Sequence, residues 1–169
     1  MAPYVISCCS TADLPEEYLN RRNISHICMH FSLDGCQYQD DLGRSVPFDA
    51  FYDAMRAGAE TKTSQVNAGE FMEYFSSFLE QGKDIIHVSM SSGFSGTYNS
   101  AMIAKEQLQE QFPDRKIYIF DSLCGSCGYG MVVDRLADLR DAGKTMEECR
   151  AWAEAHILDV NAWFFVSDL

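Results

Sequence analysis

The sequence predicts an α/β domain on an open, mostly parallel sheet with helices on both faces. Two observations predict it. Short β-branched, apolar runs alternate with longer amphipathic runs along the chain, the pattern that strand–helix–strand units produce. The turns Ser7–Asp13, Ser89–Thr97 and Asp121–Gly128, each following an apolar run, are rich in Ser, Gly and Cys. In open α/β sheets ligands bind outside the carboxyl ends of the strands, which is where these turns belong.

Each element has its own signal. Tyr4–Cys8 is short and apolar and predicts a buried strand, with Ser7–Pro15 as a polar turn. Pro15 opens a helix with two acids in its first turn. Ile24–Leu33 predicts a second strand, and Asp34–Gly35 a hairpin into Cys36–Asp40. Val46–Gly58 is amphipathic and ends on glycine, as helices often do. Ala59–Asn67 has no period and is expected as a loop. Asn67, followed three residues later by Glu70, marks the cap of a helix closed by Gly82. Asp84–Met90 predicts a central strand, followed by a helix from near Ser95 to about Phe112. Arg115–Phe120 predicts another strand, and Met131–Gly143 a helix. Thr145 with Glu148 caps a helix to about Leu158, and Ala162–Val166 is expected as a last strand. Residues 1–166 are therefore expected as one domain. A strand ending at residue 169 suggests a fragment, with 167–169 opening a second domain.

Bulk composition narrows the function. Hydrophobic residues make up 47 % and charged residues 22 %, which fits a packed core rather than a disordered chain. A net charge of −12 argues against general binding to nucleic acid or to anionic membranes. No apolar run reaches the roughly 18 residues of a membrane span, and no signal peptide is evident, so a cytoplasmic location is expected. The seven cysteines then read as reduced thiols.

Several clusters carry chemistry. Ser92, Ser95 and Thr97 offer hydroxyls at a helix start where N–H groups are free, and Gly96 permits close backbone approach. That is a site for a carboxylate or phosphate, or a plain helix cap formed by Ser95. The stretch is neither a GxxxxGK[ST] phosphate loop nor GxGxxG. Ser95 as a hydrolase nucleophile would need a general base, and its context lacks the second glycine of a nucleophile elbow. Cys124 and Cys127 form a CxxC at a helix start, which suits a thiol–disulfide oxidoreductase or two zinc ligands. No second CxxC or nearby His pair completes a zinc site. Thr63 and Ser64 in Thr61–Gln65 form a further polar cluster, or simply a turn.

Together, and in this order, the stretches STADLPEEY, LDGCQYQD, TSQVNAGEF, VSMSSGFSGTYNSAMIAKE, IYIFDSLCGSCGYGMVV and WFFVSDL resemble the DegV family of fatty-acid-binding proteins. They span nearly the whole chain. The resemblance implies the N-terminal domain of the two-domain EDD fold, with a long acyl chain enclosed in the complete protein. It implies a lipid carrier rather than an enzyme, with the fatty acid as ligand and no cofactor or metal. The carboxylate would be held by Thr63 and Ser95, with Ser64, Ser92, Gly96 and Thr97 as neighbours. A fatty acid kinase is the implied partner, phosphorylating the presented carboxylate for phospholipid synthesis. The chain departs from the family pattern at Cys9, where Asp is usual, and at Val66, where Pro is usual. Taken alone, this domain would expose the cleft that its second domain covers, which favours self-association.

Overall fold

A computed structural model describes residues 4–165. The strands are β1 (Tyr4–Cys9), β2 (Ile24–Ile27), β3 (His30–Leu33), β4 (Cys36–Gln39), β5 (Thr61–Ser64), β6 (Asp84–Ser89) and β7 (Ile117–Asp121). The helices are α1 (Glu16–Arg21), α2 (Phe48–Arg56), α3 (Ala68–Leu79), α4 (Thr97–Gln111), α5 (Cys127–Asp141) and α6 (Met146–His156). A four-stranded sheet in the order β2-β1-β6-β7 is parallel throughout, and a three-stranded antiparallel sheet runs β4-β3-β5.

Alternation along β1 and β6 divides the core. Ile6, Cys8, Ile86 and Val88 meet α1, α5 and α6, through Leu19, Tyr129, Val132, Leu136 and Cys149. Cys9 and Ile85 point the other way, onto Phe71, Phe75 and Leu79 of α3 and Ala101, Ala104 and Leu108 of α4. Both faces of the parallel sheet are thus covered, as burial of a parallel sheet requires. Capping boxes at Asn67/Glu70 and Thr145/Glu148 start α3 and α6 as their sequence signals predict.

The second layer contains one polar cluster. Ser7 Oγ lies 2.9 Å from both His87 Nδ1 and the Tyr74 hydroxyl, and Phe71 and Phe75 meet the imidazole edge-on. Burial pulls the His87 pKa down from 6.5 to about 3, so the ring is neutral and its hydrogen bonding is local.

The expected strand Ile24–Leu33 is two strands in two different sheets. The change of direction is at Met29, whose N–H donates to Ser10 Oγ at 3.0 Å and whose carbonyl accepts from Asp40 N at 2.8 Å. Those bonds replace a sheet ladder and redirect the chain into the hairpin. Asp34 and Gly35 then close it with φ of 48° and 81°, the positive values that a two-residue type I′ turn needs. Thr61–Ser64, expected within a loop, is β5, pairing with β3. Strand β1 runs one residue beyond the expected Tyr4–Cys8, so Cys9, expected in the turn, closes it, and both cysteines are buried. Helix α4 begins at Thr97 rather than Ser95. Residues 162–165 of the expected last strand are irregular; Val166 and the expected domain start at 167–169 lie outside the described residues.

Candidate functional site

In the parallel sheet the chain steps from β1 to β2 on one side and later to β6 on the other. That reversal is the topological switch point, where open α/β sheets leave a crevice. Here the crevice lies under the small sheet and α2, and holds a cavity of about 590 Å³. Phe31, Val46, Phe48, Phe51 and Tyr52 supply an apolar wall. Thr63, Ser64, Gln65, Ser95 and Gly96 supply a polar end. Asp13, Asp40, Asp41 and His30 also reach the cavity, and among the described residues no lysine or arginine does. Cavities of this size and mixed character take small molecules.

Of the sequence-predicted residues, Thr63, Ser64, Ser95 and Gly96 line this one cavity, whereas Ser92 and Thr97 do not. Thr63 lies opposite Phe31 in the β3–β5 register, and Ser64 opposite His30. Opposed residues share a face, so Thr63 joins the aromatic face, where Phe31 stacks on Tyr38 and meets Phe51 edge-on. Ser64 lies on the His30 side. His30 Nε2 is 2.7 Å from Glu70 Oε1, and Glu70 Oε2 accepts from Asn67 N at 2.8 Å. One glutamate therefore fastens β3 to the capped start of α3.

Ser95 Oγ accepts from Thr97 N at 3.2 Å and lies 2.8 Å from Thr97 Oγ1. Ser95 thus closes a local turn ahead of the helix and does not cap it, because the cap position is Gly96, and Ser95 also has a place in the cavity. Thr97 is fully buried and contacts Met29 Sδ at 3.6 Å, so its hydroxyl supports Ser95 from behind. Ser92 is exposed, and its N–H donates to Asp121 Oδ1 at 3.1 Å. It ties the β6–α4 turn to β7, as do Ser91 N to the Cys124 carbonyl (2.8 Å) and Ser122 N to the Ser89 carbonyl (3.1 Å). These backbone N–H groups hold the two turns together.

Gln65 was missed by sequence reasoning. Its Nε2 donates to Ser100 Oγ at 3.2 Å, joining the end of β5 to the first turn of α4. Its place beside Thr63 and Ser64 was the available signal. In the aromatic wall, Phe48 and Tyr52 are 57 % and 53 % exposed.

The other chemistries find less support. Ser95 bonds to Thr97, while the Ser–His contact is Ser7 with His87, sealed in the core. Cys124 is buried with its thiol 3.4 Å from the Val160 carbonyl, and Cys127 is exposed; both are free thiols. Among the described residues no cluster of His, Cys, Asp or Glu is placed to hold a metal ion, and no helix is long and apolar enough to cross a membrane.

Comparison with known proteins bears on the family and the fold. A family model described as "Uncharacterised protein, DegV family" matches residues 6–169. A DegV domain-containing protein of Clostridium perfringens is 34 % identical over 169 residues, covering 100 % of this chain and 58 % of the relative. A stearic-acid-binding protein from Eubacterium ventriosum superposes with a TM-score of 0.82 at 29 % identity, covering 90 % of this chain and 52 % of that one. The Streptococcus pneumoniae fatty acid kinase (Fak) B3 protein loaded with linoleic acid gives a TM-score of 0.78 at 26 % identity, covering 94 % and 55 %. The chain therefore spans little more than half the length of these relatives.

Proposed function

The chain belongs to the DegV family, and from that premise we propose that it forms the head-group half of a long-chain fatty-acid carrier. The carboxylate is held by Thr63 and Ser95, with Ser64 and Gly96 beside them, and the tail lies along Phe31, Phe48, Phe51 and Tyr52. The observation that carries this reading is that Thr63 and Ser95, from distant parts of the chain, open into one cavity with an aromatic wall.

The chemistry is consistent with that ligand. When Thr97 donates to Ser95 Oγ, the Ser95 proton is free for a ligand oxygen. Free N–H groups at the start of α4 add a positive dipole end. With no lysine or arginine in the lining, the head group is held by hydrogen bonds, and affinity comes mainly from the tail, at about 0.8 kcal/mol per buried CH₂. Solved relatives described as binding stearic acid and linoleic acid support the ligand class. The one described as the fatty acid kinase (Fak) B3 protein supports a kinase as partner, and in our reading this protein is the carrier that presents the carboxylate to it in the cytoplasm rather than the catalyst.

Native mass spectrometry of the full protein purified from cells tests the reading. An acyl mass should co-purify, and its absence after incubation with fatty acid would sink the proposal. Thr63→Ala combined with Ser95→Ala should weaken palmitate binding by about 100-fold or more, since each lost hydrogen bond to a charged group removes roughly 1.5–3 kcal/mol.

A further inference from the structure

The two hydroxyls lie on elements that share no backbone ladder. Thr63 sits on β5 of the antiparallel sheet, and Ser95 precedes α4 of the parallel-sheet body. Something must hold them at the spacing of one carboxylate. Gln65 bridges the gap: two residues beyond Thr63, it donates through Nε2 to Ser100 Oγ, a buried hydroxyl one turn into α4.

Its side chain also lies against the bare Cα of Gly96. A Cβ at Gly96 would come within 3.1 Å of Gln65 Cδ and Nε2, and nearer still to Oε1. Gly96 has φ −72° and ψ 1°, a conformation open to any residue. The space over Gly96 is filled by the Gln65 amide, the far end of a flexible side chain, which a Cβ there would displace. Buried Val66 follows directly and seats the strand end against the core.

Resting on the carboxylate reading above, we propose that Gln65 is the positioning residue of the head-group site: its amide, packed on Gly96 and bonded to Ser100, sets the distance between Thr63 and Ser95. Gln65→Ala then uncouples the two halves without removing either hydroxyl or any core side chain.

Binding of palmitate and of hexadecanol to the full protein tests this. The two probes share a tail and differ in the head group. Gln65→Ala should weaken palmitate about 10-fold, or 1.4 kcal/mol, with hexadecanol affinity and melting temperature unchanged. Equal losses for both probes would mean general loosening and would overturn the proposal, as would no loss for either. Gly96→Ala should weaken palmitate by displacing the amide, and adding Gln65→Ala should cost little more, because one contact is lost twice; fully additive losses would overturn it. If Thr63→Ala/Ser95→Ala weakens palmitate binding and Gln65→Ala leaves it unchanged, only this inference fails. If the wild-type protein binds no palmitate, the carboxylate reading fails and this inference falls with it.

Discussion

The parallel-sheet body and the small antiparallel flap are built on opposite principles. In the body, β1 and β6 are central strands with helices on both faces, and Phe71, Phe75, Leu108 and Leu136 are fully buried. In the flap, α2 buries no residue at all, and β4 and β5 are mainly exposed. The flap holds together through backbone ladders, aromatic contacts around Phe31 and the His30–Glu70 pair. Yet each region supplies one half of the candidate site. A rigid body thus presents Ser95, and a thin, exposed layer presents Thr63. Low-stability elements are where ligand-linked motion is usually found.

That contrast is open to direct test, and the largest effect should come from the core. Phe71→Ala should cost about 3–5 kcal/mol in denaturant unfolding, whereas Phe51→Ala in the flap should cost about 1 kcal/mol or less, because its ring is only half-buried. Equal costs would mean that the flap is part of the same cooperative core.

A second test uses pH. His87 is neutral in the folded body, its pKa drawn by burial to about 3, while the unfolded chain titrates near 6.5. The unfolded state therefore binds more protons between those values. The His87 contribution is complete above pH 6.5 and is lost progressively as pH falls toward 3. His26, also held below its usual pKa by burial, acts in the same direction. Stability should drop by about 2 kcal/mol from pH 7 to pH 5 through His87 alone, at roughly 1.4 kcal/mol per pH unit. A His87→Asn variant should lose most of that slope; an unchanged slope would place its origin elsewhere.

The smallest stability effect should come from the flap surface. Tyr52→Ser should change stability by no more than about 0.5 kcal/mol while weakening fatty-acid binding, because Tyr52 lines the cavity. Unchanged binding would remove α2 from the tail path.

The same contrast explains what could be read from sequence. Strands β1, β6 and β7 are apolar runs because they are buried, and α3 and α6 announce themselves through Asn67/Glu70 and Thr145/Glu148. In the flap the Asp34–Gly35 turn and the amphipathic run of α2 were legible, but β5 was not. Thr61–Ser64 is polar because its side chains face solvent or a cavity, so its strand character lies in the pairing with β3 alone. The break at Met29 is set by bonds to Ser10 and Asp40, which no periodicity encodes. In the site, the hydroxyl clusters were visible as a compositional surplus. Separating Ser95, in the cavity, from Ser92, tied to β7, required the fold, and so did Gln65, whose partners are distant in sequence.

The sheet order also carries a kinetic consequence. Ser7 and His87, neighbours across β1 and β6, are 80 residues apart in the chain. The hairpin of β3 and β4 closes over two residues, but the central pair must first enclose everything between, at an entropic cost that grows with loop length. The hairpin can therefore form early during synthesis, while β1 waits for β6 to emerge. Thr63 and Ser95 meet only after that closure, so the proposed site is among the last features to assemble, and a nascent chain that ends before β6 lacks its Ser95 half.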